Sequence, residues 1–330
     1  MHKKDIIQLL LGKYYLHAPQ HEQATAFAPT NIALCKYWGK RDTELNLPVT
    51  SSLSISLGNK GASTTLRLLS EAEDVLILNG SPLETTTRFG KRVVEFLDLF
   101  RIQQQPSLRI DINMNIPLAA GLASSACGFA SLVAALNKLY GWGLSLQDLS
   151  ILARLGSGSA SRSFWSGFVE WHAGIQADGM DSYSEPFSAA WPELCIGLHV
   201  VSHEAKPIPS REAMQRTRET SVLYRSWPEQ VQRDLLAIKQ AINQQDISAL
   251  GAAAETNALA MHATMLSAWP PISYSLPATT AAMHAIWQLR SAGLVVYFTQ
   301  DAGPNLKLLF LKKDIELLSK HFPSLEIIAL

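Results

Sequence analysis

In the first half of the chain, strand-like runs recur at "ASTTLRLL" (62–69), "EDVLILNG" (73–80), "SLRIDINMNI" (107–116) and "SGFVEWHAG" (166–174), with alternation of apolar and polar positions clearest in the third. A period of two puts successive side chains on opposite faces of an extended chain, so each run predicts a strand. Between them, residues 86–100, 124–140 and 146–155 repeat apolar positions three and four apart, the spacing of one helix face. The second half opens with "LCIGLHVVS" (194–202) and continues with helical patterns over 210–226, 228–241, 247–268 and 277–292. It closes with "GLVVYFTQD" (293–301), "LKLLFL" (306–311) and a last helix. Runs of both kinds in this order predict an α+β fold with antiparallel pairing. We place an N-terminal extension with a short amphipathic helix at 1–23, a first lobe at 24–193 and a second at 194–330. A pocket is expected between the lobes, where ligand sites often lie.

Two features test this pattern. The opening "MHKKDIIQLLLGKYYLHA" mimics a signal peptide, yet its apolar run is short and broken by Lys13, so it reads as a helix of the folded protein. Residues 116–136, "IPLAAGLASSACGFASLVAAL", are uncharged and long enough to suggest a membrane span. Pro117, the glycines and the serines point instead to a buried loop that leads into a helix. No repeat of 20 to 50 residues is present, which excludes a solenoid.

Composition narrows the function classes. Apolar residues make up 47% and charged residues 17% of 330 residues, enough for a large core without staples. Twenty-eight basic residues balance 28 acidic ones, so no net field draws the chain to nucleic acid or an anionic membrane. Any anion site must therefore be a local cluster. Cys35, Cys127 and Cys195 are scattered and lack metal-ligand spacing. They read as small buried thiols in a reducing cytoplasm, and the metal ligands are left unassigned.

Five segments carry chemistry. "NIALCKYWGK" (31–40) begins as a half-buried strand in which Ile32, Leu34 and Lys36 share one side, so apolar packing runs into charge. It ends either in solvated lysines or in an anion site. "PLAAGLASSA" (117–126) sets small residues ahead of Ser124 and Ser125, either of which can cap the helix that follows, with Gly141 at its far end. Such a helix start suits a phosphate, although the segment matches neither G-x-x-x-x-G-K-[ST] nor G-x-G-x-x-G. A tightly packed, serine-capped helix is the alternative. "GSGSASRSF" (156–164) joins flexible backbone and hydroxyls to Arg162, as an anion cradle or a surface loop. In "KPIPSREAMQRTRETS" (206–221), Ser210 and Arg211 sit at a helix start, while Arg216 and Arg218 read as solvated residues balanced by Glu212 and Glu219. "TQDAGPN" (299–305) offers Asp301 as a turn residue or as a base at a strand end. Together these segments describe several cations, many hydroxyls and one carboxylate, which suits a substrate set with several phosphates.

The motifs resemble those of the mevalonate diphosphate decarboxylase branch of the GHMP kinase superfamily. The likeness is carried, in order, by "APTNIALCKYWGKRDTELNLPVTSSLSISL", "IPLAAGLASSACGFASLVAAL", "GSGSASRSFWSGFVEW", "SREAMQRTRETS", "HATMLSAWPPISY" and "DAGPN". It implies a two-lobed GHMP kinase fold with a left-handed β-α-β element in the N-terminal lobe, and a homodimer. It also implies ATP-dependent decarboxylation of (R)-5-diphosphomevalonate to isopentenyl diphosphate, with Mg2+ and no nucleic-acid or membrane partner. The resemblance makes Asp301 the catalytic aspartate, Lys36 an active-site lysine, and Arg162 the ligand of the departing carboxylate, with Asn31 holding Arg162. By the same likeness Tyr37, Lys40, Ser157, Ser159, Ser210 and Arg211 bind substrate, and Ala120, Gly121, Ser124 and Ser125 form the ATP phosphate loop. Two rival readings stay open: a GHMP small-molecule kinase acting on mevalonate or its monophosphate, and a nucleotide-binding relative that has lost catalysis.

Overall fold

The computed structural model describes residues 1–71, 73–101, 106–116, 124–204 and 206–329. In chain order the first part contains α1 (Lys3–Leu11), β1 (Gln23–Cys35), β2 (Lys40–Asp42), β3 (Leu47–Pro48), β4 (Ser52–Leu68), β5 (Val75–Leu78) and β6 (Ser81–Pro82). These are followed by α2 (Arg88–Leu97), β7 (Leu108–Met114), α3 (Ser124–Tyr140), α4 (Leu146–Gly156), β8 (Phe168–Trp171) and β9 (Ser184–Phe187). The second part contains β10 (Leu194–His199), α5 (Ser210–Thr220), α6 (Trp227–Gln244), α7 (Ile247–Leu266), α8 (Pro277–Ser291), β11 (Tyr297–Gln300), β12 (Leu306–Leu311), α9 (Ile315–His321) and β13 (Glu326–Ala329).

The fold is α+β and two-lobed, built on one large sheet in each part, with β2 and β3 forming a separate two-stranded sheet in the first. The first sheet runs β6-β5-β7-β4-β8-β9 with β1 also paired to β4, and the second runs β11-β12-β10-β13. Pairing is antiparallel except between β5 and β7, which the chain joins through β6 and α2. α3 packs on β1 and β4, and the hydroxyls of Thr64 and Ser131 meet there at 2.6 Å. A second, smaller core lies beside β12, where Leu306, Leu308 and Phe310 pack with Ile286 and Phe298. Leu309 points the other way, into the main core. That alternation also turns Lys307 toward the main core.

Several expectations change. β1 is not half-buried throughout: its last eight residues are buried or nearly so, because the sheet and helices α3, α6 and α7 enclose it. "ASTTLRLL" covers only the end of the 17-residue β4, whose first six residues, "SLSISL", also alternate but are buried on both faces. The pattern over 210–226 divides into α5 and a 3-10 turn from Val222 to Ser226. The chain ends in β13 after the last helix, antiparallel to β10. α1 forms as expected and buries Ile6, Ile7 and Leu11. The three cysteines are buried free thiols. Among the described residues no helix is long and apolar enough to cross a membrane.

Candidate active site

β1 is bulged on both sides of Asn31–Ala33: its register against β4 shifts between Pro29 and Asn31 and again between Ala33 and Cys35. Bulges re-aim side chains, and here they turn the strand end toward the second sheet. The strand stops at Cys35, and the turn that follows is pinned through Trp38. Its carbonyl accepts from Tyr224 Oη (3.1 Å) and Trp227 Nε1 (2.9 Å). Gly39 follows at φ +116°, and an added Cβ would stand 1.8 Å from Tyr224 Oη, so both backbone conformation and space require glycine.

This anchoring buries Lys36 and Lys40, at 2% and 9% exposure, instead of releasing them to water. The backbone N–H of Lys36 donates to Asn257 Oδ1 (2.7 Å), and Asn257 in turn donates to Asp234 (2.7 Å). Lys36 Nζ donates to the Ala33 carbonyl (2.8 Å) and to Asp301 Oδ1 (2.7 Å). Lys307 Nζ lies 3.0 Å from the other oxygen, Oδ2. Burial raises the carboxyl of Asp301, but Lys307 and Lys36 outweigh it and hold the group ionised, well below the usual carboxylate range. Burial pushes Lys36 down to about 8 despite the attraction of Asp301. His262 bonds the Asp301 carbonyl through Nε2 (3.1 Å), and burial pushes its imidazole down to about 4, so the ring is neutral near pH 7.

Arg162 sits in a 3-10 turn from Gly158 to Arg162 and is 3% exposed. It donates from Nε to Asn31 Oδ1 (3.2 Å) and from Nη1 to Ser52 Oγ (2.6 Å). Asn31 is held by its own donation to Ser163 Oγ (2.8 Å). Burial lowers Arg162 to about 10, which leaves it charged at neutral pH. Tyr37 packs edge-on against Trp171, and its buried hydroxyl has no hydrogen-bond partner among the described residues. An unpaired buried hydroxyl is unfavourable by about 1–3 kcal/mol, which a ligand oxygen would relieve.

A cavity of about 610 Å3 lies between the two parts of the chain. Asn31, Lys36, Tyr37, Lys40, Ser124, Ser125, Ser157, Ser159, Arg162, Ser210, Arg211 and Asp301 all face it. Ser124 and Ser125 form the first turn of α3, where the 124–140 pattern starts, and Ser125 Oγ lies 3.2 Å from Ser157 Oγ. Ala120 and Gly121 lie outside the described residues. Lys40 Nζ donates to Asn46 Oδ1 (2.6 Å), and burial, with Arg211, Lys3 and Arg92 adding to it, pushes Lys40 down to about 7.

Sequence reading missed several groups here. Lys206 reaches Ser210 Oγ (2.7 Å) and the Ala302 carbonyl (3.1 Å) from the segment before α5. Arg88, Lys91 and Arg92 of α2 also line the cavity, and their i, i+3, i+4 spacing was the available signal. Arg218 is not simply a solvated partner of Glu219: it donates to the Lys40 carbonyl, while Glu219 accepts from Gln215. Arg216 does pair with Glu212 (2.8 Å). Eight lysines and arginines line the cavity among the described residues, against Glu95 and Asp301.

A cation-rich cleft between two α+β lobes, with one ionised carboxylate clamped by lysines, defines a phosphoryl-transfer class of site. Family models agree on the branch: residues 28–184 match the diphosphomevalonate decarboxylase-like N-terminal domain and 196–326 the mevalonate 5-diphosphate decarboxylase C-terminal domain. The chain belongs to the diphosphomevalonate decarboxylase family. It is 41% identical to diphosphomevalonate decarboxylase mvd1 of Aspergillus fumigatus over 320 residues, covering 90% of this chain and 79% of that protein. It is similar to the mevalonate diphosphate decarboxylase from Enterococcus faecalis, solved in a study of mevalonate diphosphate mediated ATP binding (41% identity, TM-score 0.84, 92% and 95% of the two chains). A structure of MDDEF in complex with MVAPP, AMPPCP and magnesium is likewise 41% identical, with a TM-score of 0.85 over 92% and 95%.

Proposed function

We propose that this chain catalyses the ATP-dependent decarboxylation of (R)-5-diphosphomevalonate to isopentenyl diphosphate, with release of ADP, phosphate and CO2, in the mevalonate pathway. The observation that carries this reading is the Asp301 carboxylate, held ionised by two lysines in the same cavity as Arg162. A kinase that stops at phosphoryl transfer needs a base but no cation for a departing carboxylate.

In this reading Asp301 orients the 3-hydroxyl and accepts its proton as the oxygen bonds to the γ-phosphorus and the bond to the β-phosphate oxygen breaks. A carboxylate paired with two cations is a weak base, so the proton moves late, once the new P–O bond has made the hydroxyl acidic. The C3–O bond then breaks, phosphate leaves with the electron pair, and the C1–C2 pair forms the C2=C3 double bond as CO2 departs. Arg162, fixed by Asn31 and Ser52, binds the C1 carboxylate. Tyr37, Lys40, Ser157, Ser159, Ser210 and Arg211 take the diphosphate, and Ser124 and Ser125 meet the ATP phosphates beside Ala120 and Gly121.

Among the described residues no three His, Cys, Asp or Glu side chains converge as a metal cage, whereas Ser124, Ser125 and Glu95 line the cavity. That donor set fits magnesium: Ser124, Ser125 and Glu95 would hold the ion beside the nucleotide, and it would supply charge neutralisation for the transferring phosphoryl group. We further propose a lobe boundary near residues 193–194, a homodimer and a cytoplasmic location. The functional reading is tested by product analysis: mass spectrometry after incubation with ATP, Mg2+ and (R)-5-diphosphomevalonate should show isopentenyl diphosphate. Accumulation of a stable 3-phosphorylated product would instead make the protein a kinase.

A further inference from the structure

Lys307 touches the Asp301 carboxylate but does not line the cavity. It projects from β12, between Leu306 and Leu308, and is 1% exposed. Its neighbour across the register is Thr299 of β11, also fully buried, whose hydroxyl donates to the Ala33 carbonyl (3.4 Å). Lys36 Nζ donates to that same carbonyl. The ammonium groups of Lys36 and Lys307 therefore reach Asp301 from different elements, one on each carboxylate oxygen.

A lysine inside a central strand is unfavourable for stability, and a well-packed aliphatic residue there is usually neutral or better. Its position makes sense through what it touches. We infer that Lys307 is a positioning residue for the reaction: by clamping Oδ2 from behind the cavity, it fixes the rotation of the Asp301 carboxylate and leaves lone pairs of both oxygens facing the substrate hydroxyl. An ionised carboxylate has about four acceptor sites, so two lysine contacts leave room for a third donor. With Lys36 alone the group would pivot about Oδ1. The other charged or titratable groups facing Asp301 are Arg162, Lys206 and His262, and none of them bonds Oδ2.

This inference rests on the proposed role of Asp301 as base. Its test is Lys307→Met, with Lys307→Arg as the conservative variant, assayed for kcat, KM and the titration of the Asp301 carboxyl. Lys307→Met should lower kcat by on the order of 10- to 100-fold with little change in KM for either substrate. The carboxyl 13C signal of Asp301 should titrate at a higher pH in Lys307→Met than in the wild-type protein, because the carboxylate loses a cation, and Lys307→Arg should recover most of both effects. An unmoved Asp301 titration, or a kcat loss that Lys307→Arg does not recover, overturns the inference. Should Lys307→Met fail to fold, the carboxyl 13C signal of Asp301 in the wild-type protein, assigned with Asp301→Asn, decides. No titration above about pH 3 is expected, and titration near the ordinary aspartate value of about 3.9 overturns the clamp. That signal needs no substrate, so it stands apart from failure of the decarboxylase reading itself.

Discussion

Lys36 and Asp301 lie 265 residues apart in the chain and meet at 2.7 Å inside the cavity, one at the end of a strand of the first sheet and the other at the end of a strand of the second. Neither lobe alone contains both the cation and the carboxylate. The ion pair ties the lobes together at the point where the reaction is proposed to occur.

Removing the charge of Asp301 isolates its part. Asp301→Asn keeps the shape and one acceptor oxygen but cannot take a proton. Turnover should fall by about 10²- to 10⁴-fold, while nucleotide affinity, read by equilibrium titration with a non-hydrolysable analogue, stays within a few-fold. Near-normal turnover would remove Asp301 from the base role.

Arg162 should act on the substrate carboxylate and not on ATP. Arg162→Gln removes a charge-assisted fork held by Asn31 and Ser52, a loss of about 1.5–3 kcal/mol for one such contact. Steady-state kinetics should show KM for diphosphomevalonate raised by roughly 10- to 100-fold, with kcat also lower and the ATP dependence little changed. An effect confined to ATP would reassign the residue.

Lys40 gives a pH signature. Its ammonium is pushed down to about 7, so above that pH a growing share of the free protein carries it neutral. An arriving diphosphate favours the charged form, so binding at pH 8 takes up a proton, and affinity weakens as pH rises through about 7 to 8. Calorimetry in two buffers of different ionisation enthalpy reads this directly. Wild-type protein should show proton uptake that Lys40→Met lacks; equal uptake in both would exclude Lys40 as its source.

Behind Lys36, Asn257 serves two masters: its oxygen accepts the lysine backbone N–H and its nitrogen donates to Asp234. Asn257→Ala leaves both partners buried without it. Urea unfolding should show a loss of about 1–3 kcal/mol, together with slower turnover as Lys36 loses its anchor. A change within about 0.5 kcal/mol would mean that water or a shifted neighbour replaces the amide.

Legibility in the sequence followed the chemistry of each segment. α1, α3, α6, α7 and α8 were readable because each has one apolar face or a clear cap and stop. β4 was read only over its end, although "SLSISL" at its start alternates polar and apolar residues and was an available signal. The site residues in glycine- and serine-rich motifs were visible as motifs and a shared pocket between lobes was expected, but the individual contacts were not, because they depend on strand pairing and lobe contact. Lys307 and the α2 cations were missed for opposite reasons. A single lysine in "LKLLFL" reads as a strand-end charge, and Arg88, Lys91 and Arg92 read as an ordinary solvated face. In retrospect, a lysine between leucines in a central strand was the stronger clue, since such a group is rarely buried without a partner.

The account stands or falls on coupling between phosphoryl transfer and loss of carbon dioxide. The direct measurement follows ADP and CO2 together while purified protein and Mg-ATP are given, separately, (R)-mevalonate, its 5-monophosphate and its 5-diphosphate. Equal amounts of ADP and CO2 with the diphosphate, and neither with the other two, is the predicted result. ADP without CO2 from any of the three, or no ADP from the diphosphate, would contradict it.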